Sequence, residues 1–408
     1  MKGSSGQMKS GSALIRMLLV SLMVAGLCWF ASAASISPRT VNRLTRTRRA
    51  AAAPKRSTSA RRPLVRASLR TTVRRPVRRY RGERFSTSSF SDDQTTGDIA
   101  VGEDPIVRQS AIDALGNMNG TVVAIDPNSG RILAMVNQKL ALSAGATPCS
   151  TIKVPVALAA LSENLVSKDT KVLLTKTYGL TMTEALAHSN NAYFETLGRR
   201  LGFEKYSYYA HQFGLGELAG WNIPEEHLGA FPSAPLAEKL GGVGKMCSFG
   251  EGISMTPLQL GAIIAAVANG GTLYYLQHPR TPEEVVSFQP RVKRHLDIGP
   301  LAPQLRDGMA GAVQYGTARS LRSNFSEEQV LGKTGTCSNN AGTRYGWFAS
   351  YANTRSGSIV AVIFLEGGRS TFGPKAAEIA GRLYRNLYDH SFFGNVVLQP
   401  ASVTGALR

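Results

Sequence analysis

Two apolar runs rich in Val and Ile flank a DPNSG segment in GTVVAIDPNSGRILAMVN, residues 120–137, and the pattern predicts a β-hairpin. Residues 105–117 ahead of it read as a short helix. Helical periodicity follows over 151–163, after Pro148, and again over 181–201 and 203–213. In TPLQLGAIIAAVANGG, residues 256–271, Thr256 is a cap, Pro257 takes the first helical position and Gly270–Gly271 ends the helix. Strand patterns return at 328–336, 344–352 and 358–366, before an amphipathic helix over 374–389. Two strands, a long helical middle, three strands and a last helix predict an α+β domain whose sheet joins strands distant in sequence. No internal repeat is visible.

The N-terminal part lacks this patterning. Residues 35–104 are rich in Arg, Ser, Thr, Pro and Ala without helical or alternating periodicity. Such a segment cannot bury enough apolar surface to offset its ordering entropy, so disorder is expected up to about Asp104. Before it, a basic flank, the run MLLVSLMVAGLCWF (17–30) and the small residues ASA (31–33) read as a secretory signal cut after Ala33, or as an uncleaved anchor. The expected division is a signal or anchor over 1–34, a basic linker over 35–104 and a domain over 105–408.

The net charge of +20 suggests a nucleic-acid partner until it is localised. Residues 35–84 hold seventeen Lys/Arg against Glu83 alone, and Lys2, Lys9 and Arg16 precede them. The remainder is close to neutral, so a folded nucleic-acid-binding domain is not indicated. The basic stretch reads as a solvated tether, or as a polybasic arm contacting anionic lipid headgroups or acidic wall polymers. Its arginines oppose export by the positive-inside rule. Four cysteines without a CxxC and six histidines without a paired motif predict no metal and no cofactor.

Three short elements carry candidate chemistry. In PCSTIKVP (148–155), Ser150 and Lys153 are three apart at a helix start and share one face. A serine is a weak nucleophile until a base takes its proton, and a lysine can serve if burial or a nearby cation lowers its pKa. The alternative for this element alone is an ordinary helix cap. In HSNNAYF, Ser189 and Asn191 can turn a hydroxyl and an amide toward one cleft, or form a plain polar helix turn. In LGKTGTC (331–337), Lys333 would bring a cation that helps keep Lys153 neutral, and Thr334 and Thr336 can hydrogen-bond a carboxylate. Gly335 removes a side chain where a ligand would lie against the strand. A phosphate-binding P-loop is excluded because Glu327 stands where that motif needs glycine.

In this order and context the three elements are the set found in penicillin-binding proteins and class A β-lactamases. Over residues 105–390 the chain resembles a penicillin-binding protein transpeptidase domain. The hairpin, EALAHSNNAYFETLGRRLG, FGEGISMTPLQLGAIIAAVANGG (249–271) and YGTAR (315–319) extend the likeness. The resemblance implies an antiparallel sheet flanked by helices, with a mostly helical subdomain carrying the second motif. It implies D,D-transpeptidation of peptidoglycan stem peptides through an acyl-enzyme on Ser150, with β-lactams as covalent inhibitors. Lys153 would be the base, Ser189 a proton relay and Asn191 a substrate-amide ligand. Lys333, Thr334 and Thr336 would bind the carboxylate side, and the N–H groups of Ser150 and Thr336 would form the oxyanion hole. A D,D-carboxypeptidase, a class D-like β-lactamase, a β-lactam sensor and a non-catalytic wall-binding or scaffolding protein are the alternatives. The substrate's location overrules the arginines and implies an exported domain, in the periplasm or on the periplasmic face of the inner membrane.

Some features depart from the family. The space before the domain holds the Arg-rich segment instead of a pedestal or glycosyltransferase module, which argues against polymerase activity. Glu251 stands where glutamine is common, and its carboxylate is expected to act on Lys153 or Lys333. Cys149 and Cys337 replace small residues. In the family's fold the first-motif helix start, the FGEG loop and the third-motif strand border one cleft, so Cys149, Cys247 and Cys337 are expected to be neighbours. Cys149–Cys337 and Cys149–Cys247 disulfides, or three small buried thiols, are all compatible with this.

Overall fold

A computed structural model describes residues 85–354 and 357–393. The signal or anchor, and the basic linker as far as residue 84, lie outside them. In chain order the regular elements are α1 (Pro105–Leu115), β1 (Gly120–Ile125), β2 (Ile132–Val136), α2 (Gln138–Ala141), α3 (Lys153–Ser162), β3 (Val172–Leu173), β4 (Gly179–Leu180), α4 (Met182–Ala187) and α5 (Asn191–Gln212). There follow α6 (Gly242–Phe249), α7 (Pro257–Ala268), β5 (Thr272–Tyr274), α8 (Pro282–Val286), β6 (Val292–His295), α9 (Ala302–Gln314), β7 (Val330–Ser338), β8 (Arg344–Thr354), β9 (Gly357–Gly367) and α10 (Gly373–Asp389).

The principal sheet has the order β2-β1-β9-β8-β7, and every neighbouring pair is antiparallel. The N-terminal hairpin therefore joins the C-terminal meander across the β1–β9 pair, where Val122 faces Ile363. β9 is apolar on both faces. Val360, Val362 and Phe364 enter one core, and Ile359, Ala361, Ile363 and Leu365 enter the other. Such continuous apolar runs belong to a strand covered on both sides. α7 packs on the first face, where Gly261 lets it approach Ile125 and Val362. α1 and α10 cover the second, with Ala376, Ala380, Leu383, Tyr384 and Leu387 of α10 buried. A buried leucine such as Leu383 contributes about 1.5–3 kcal/mol relative to an exposed one. The core of the first face runs on into α3, α4 and α5 of the helical region.

α7 forms as its signals predict. Thr256 accepts from Gln259 N, the Gln259 side chain returns to Thr256 N, and Pro257 opens the helix. The gap expected at residue 202 is real, because Gly202 takes non-helical angles (φ 75°, ψ 165°) inside α5.

The expected start of order at Asp104 is corrected. Residues 85–103 are laid along the domain by polar side chains, which an apolar pattern does not reveal. Ser89 Oγ is 3.0 Å from Thr371 Oγ1 and accepts from Gly368 N at 2.9 Å. The Asp98 carboxylate accepts from Asn137 N at 3.0 Å and Gln138 N at 2.8 Å, and pairs with Arg108. Glu103 is buried between Arg108 and His278, at 2.7 and 2.9 Å.

Candidate active site

Ser150 lies in a 3₁₀ turn, Cys149–Ile152, that runs into α3 at Lys153. Cys149, the residue before Ser150, has a left-handed backbone with φ 52°. A non-glycine residue in this region costs about 1–3 kcal/mol and persists only where its surroundings hold it. Two contacts hold this turn. Trp347 on β8 donates its Nε1–H to Thr147 O at 3.0 Å. Cys149 is disulfide-bonded to Cys337 on β7, with their Cα atoms 5.6 Å apart.

The single helix expected over 181–201 is corrected: it is interrupted at the Ser189–Asn191 element. Ser189 is also left-handed (φ 55°) and makes the corner between α4 and α5, while Asn191 is the first residue of α5. Asn190 caps that helix by accepting from Tyr193 N at 2.9 Å. The corner turns Ser189 and Asn191 together onto Lys153.

Lys153 is fully buried, and its Nζ is ringed by oxygen. Ser150 Oγ is 2.6 Å away, Asn191 Oδ1 2.7 Å, and the Ser189 Oγ and backbone oxygen 3.3 Å each. From the other side the buried Lys333 reaches Ser189 Oγ at 2.8 Å and its neighbour's carbonyl, Thr334 O, at 3.0 Å. Ser150, Lys153, Ser189 and Lys333 thus form one chain of contacts. Burial, with the Lys333 charge second, lowers the Lys153 amine to about 6, and Glu195 opposes that shift. Burial lowers Lys333 to about 7. At neutral pH Lys153 is mostly the free amine, 2.6 Å from a serine hydroxyl. That is the arrangement a general base needs.

β7 is an edge strand and alternates its side chains. Lys333 and Cys337 point toward the nucleophile's turn, with Gly335 between them. The Gly335 position is filled by protein, which corrects the sequence-based reason for its glycine. A Cβ there would meet Pro148 O at 2.9 Å and Cys149 Cβ at 3.2 Å, so the glycine admits the turn that carries Ser150. Thr334 and Thr336 point the other way. Thr334 Oγ1 is 2.6 Å from Thr317 Oγ1, and Thr336 Oγ1 accepts from Gly373 N at 2.8 Å.

Of the eight residues picked from the sequence, Ser150, Lys153, Ser189, Asn191, Lys333 and Gly335 meet here, while the Thr334 and Thr336 side chains lie on the other face of β7, and the FGEG loop borders the site through Gly250, which packs on Pro148. Thr317, Trp347 and Glu195 were not picked. The YGTAR run was visible, yet nothing in it marks the Thr317 hydroxyl as the partner of Thr334. The expectation for Glu251 is corrected: that side chain is exposed, and the carboxylate acting on Lys153 is Glu195. Of the three cysteine outcomes the structure has Cys149–Cys337, and Cys247 is a buried free thiol packed at Gly198.

The chain belongs to the penicillin binding protein transpeptidase domain family, whose model matches residues 120–385. It is 29% identical over 316 residues to stage V sporulation protein D of Bacillus subtilis, a match covering 65% of this chain and 48% of that protein. It is 24% identical to the peptidoglycan D,D-transpeptidase MrdA of Acinetobacter baumannii, over 71% of this chain and 53% of the relative. The chain spans about half the length of these relatives. The peptidoglycan D,D-transpeptidase PbpA of Mycobacterium tuberculosis is 24% identical over 78% of this chain and 77% of its own. Among solved structures, PBP2 of Pseudomonas aeruginosa superposes with a TM-score of 0.59 at 22% identity, covering 73% of this chain and 79% of the other. The expected α+β fold of the family is therefore the observed one.

Proposed function

We propose that this protein is a serine-type D,D-transpeptidase that cross-links peptidoglycan stem peptides through an acyl-enzyme on Ser150. The carrying observation is the fully buried Lys153 amine 2.6 Å from Ser150 Oγ, its pKa lowered by burial and by Lys333. In the proposed sequence the Ser150 hydroxyl proton passes to Lys153 Nζ as Oγ attacks the carbonyl carbon of the penultimate D-alanine. The N–H groups of Ser150 and Thr336 stabilise the oxyanion. The proton returns through Lys153 and Ser189 to the leaving nitrogen, the C–N bond breaks and D-alanine departs. An amine of a second stem peptide then attacks the Ser150 ester carbonyl, its proton passes along the same relay to Ser150 Oγ, the C–Oγ bond breaks and the new amide departs. Asn191 spends its Oδ1 on Lys153, so its Nδ2 is free to donate to a substrate carbonyl. Lys333 holds Ser189 in place and disfavours a charge on Lys153.

The relatives named as peptidoglycan D,D-transpeptidases support this reading. The chemistry calls for a domain facing the periplasm or cell exterior, so we infer that residues 1–34 direct export, as a cleaved signal or an anchor. No helix among the described residues is long and apolar enough to cross a membrane. Residues 35–84 would then tether the domain, and their arginines suit contact with anionic lipid or wall polymers.

The test is to incubate the protein with a pentapeptide muropeptide, with and without an amine acceptor. Cross-linked dimer in the presence of acceptor is the expected product. Tetrapeptide alone under both conditions would replace the reading with a carboxypeptidase. Rapid turnover of penicillin with no muropeptide product would replace it with a β-lactamase.

A further inference from the structure

A small polar cavity adjoins the β2 edge of the principal sheet, remote from Ser150. Gln277 joins that edge: Ile132 N donates to Gln277 O at 2.8 Å, and Gln277 N donates to Gly130 O at 2.9 Å. The turn that carries Ser150 packs instead on β7, the opposite edge. Four strand spacings of about 4.8 Å separate the two edges by roughly 19 Å. The cavity measures about 230 Å³, and Trp221, Asn222, His278, Glu284, Gln289 and Arg291 are in its lining. Trp221 is 39% exposed, with Tyr275 edge-on to its ring at 5.3 Å and the Arg291 guanidinium over it at 4.6 Å. Neither that guanidinium nor the side-chain amides of Asn222 and Gln289 hydrogen-bond another described residue. Glu284 accepts from Arg280 N at 2.6 Å and pairs with no cation among the described residues. His278 is buried, and its Nε2–H donates to Glu103 Oε1 at 2.9 Å. Glu103 is held in turn by Arg108 and by Met135 N. His278 Nδ1 has no hydrogen-bond partner among the described residues. A histidine fixed in this way through one nitrogen presents the other as an acceptor in its neutral ring.

We propose that this cavity is a saccharide subsite, which takes one N-acetylated sugar ring of a glycan strand against Trp221. The subsite goes beyond the acyl-enzyme reading and does not rest on it. A sugar ring has an apolar C–H face and a rim of hydroxyls that both donate and accept. The cavity offers the complement of each. Trp221 is the apolar wall. Arg291 can only donate, Glu284 and His278 Nδ1 accept, and the amides of Asn222 and Gln289 do both. An unpaired cation and an unpaired anion in so small a space suit a neutral ligand that satisfies both, since a charged one would be opposed by Arg291 or Glu284. The volume is below the range of about 300–1,000 Å³ usual for larger organic ligands, which limits the occupant to a single ring. An acetamido group supplies the amide partner for Asn222 or Gln289 that a plain hexose lacks.

The test titrates the full chain with tri-N-acetylchitotriose, by calorimetry and saturation-transfer NMR, with cellotriose as the counterpart without acetamido groups. Saturable binding of the acetylated sugar is expected, with cellotriose weaker by about three- to tenfold, the range for one hydrogen bond. Trp221→Ala is expected to weaken binding about tenfold or more. Asn222→Gly is expected to weaken it about three- to tenfold. Asn222 has φ 51°, a conformation glycine adopts freely, so this variant removes the amide and leaves the backbone unstrained. Both variants are expected to react with penicillin at the wild-type rate, which reports an intact fold. A wild type that binds no acetylated sugar, or variants that bind it as the wild type does, would overturn the subsite. Equal affinity for cellotriose would overturn the N-acetylated sugar as its ligand. Binding that is lost only in step with penicillin reactivity would assign these residues to the fold and overturn the subsite as well.

Discussion

Cys149 is bonded to Cys337 across 188 residues of chain, so the residue before Ser150 is covalently tied to the residue after Thr336. The link joins the turn that carries the proposed nucleophile to the edge strand whose Thr336 N–H is proposed to stabilise the oxyanion. Loss of a native disulfide typically costs about 2–5 kcal/mol, largely through the unfolded chain. The variant Cys149→Ser/Cys337→Ser, or the reduced wild type, is expected to lose stability in that range and to be acylated more slowly. Denaturant unfolding with and without reductant, alongside penicillin acylation rates, checks both effects. Alkylation of the unfolded, unreduced protein is expected to label Cys247 and to spare Cys149 and Cys337.

The pH dependence of acylation follows from Lys153. Below about pH 6 the amine is protonated and cannot take the Ser150 proton. The rate is expected to fall about tenfold per pH unit on that side and to level off above it. Glu195 holds the amine pKa up, so Glu195→Gln is expected to move the acid limb to lower pH. Stopped-flow acylation between pH 4.5 and about 8 reads this directly. An unmoved limb would remove Glu195 from the electrostatics of the site.

Stability carries the same signature. Lys153 and Lys333 have folded values of about 6 and about 7 against 10.5 for a free lysine. Between roughly pH 7 and 10.5 the unfolded chain binds protons that the folded chain does not, so the contribution of the pair to stability rises with pH through that window. Replacing both lysines by methionine is expected to flatten this rise, as followed by urea midpoints at several pH values.

Gly335→Ala tests the packing of the Ser150 turn. The added Cβ meets the Pro148 carbonyl at 2.9 Å, and the disulfide on one side and Trp347 on the other leave the turn little room to retreat. A loss of about 1–3 kcal/mol is expected, the usual range for overpacking. Acylation is expected to fall more than tenfold as Ser150 shifts from Lys153. A variant as stable and as reactive as the wild type would contradict this account of the glycine.

The sequence was most legible where period and punctuation coincide. The cap, proline and paired glycines around residues 256–271 marked α7, and the three late apolar runs became β7, β8 and β9 with boundaries shifted by only a few residues. Even the break at Gly202 could be read. Less legible was whatever depends on a contact distant in sequence. Ser189 and Cys149 adopt left-handed backbone because tertiary contacts hold them there, and serine and cysteine have no strong local preference for it. The ordering of residues 85–103 rests on hydrogen bonds to residues 137–138 and 368–371, which no hydrophobic pattern encodes. The motifs named Lys333 and Thr334 together, but only the strand's alternation shows that they serve opposite faces. The cysteine pairing was open among three outcomes for the same reason.

The most direct measurement of the central claim is the mass of the protein after incubation with a fluorescent penicillin, followed by peptide mapping, for the wild type and for Ser150→Ala. One penicilloyl group per chain is expected on the peptide containing Ser150, with none on Ser150→Ala. A wild-type protein that stays unlabelled, or a label that persists in Ser150→Ala, would contradict an acyl-enzyme at Ser150.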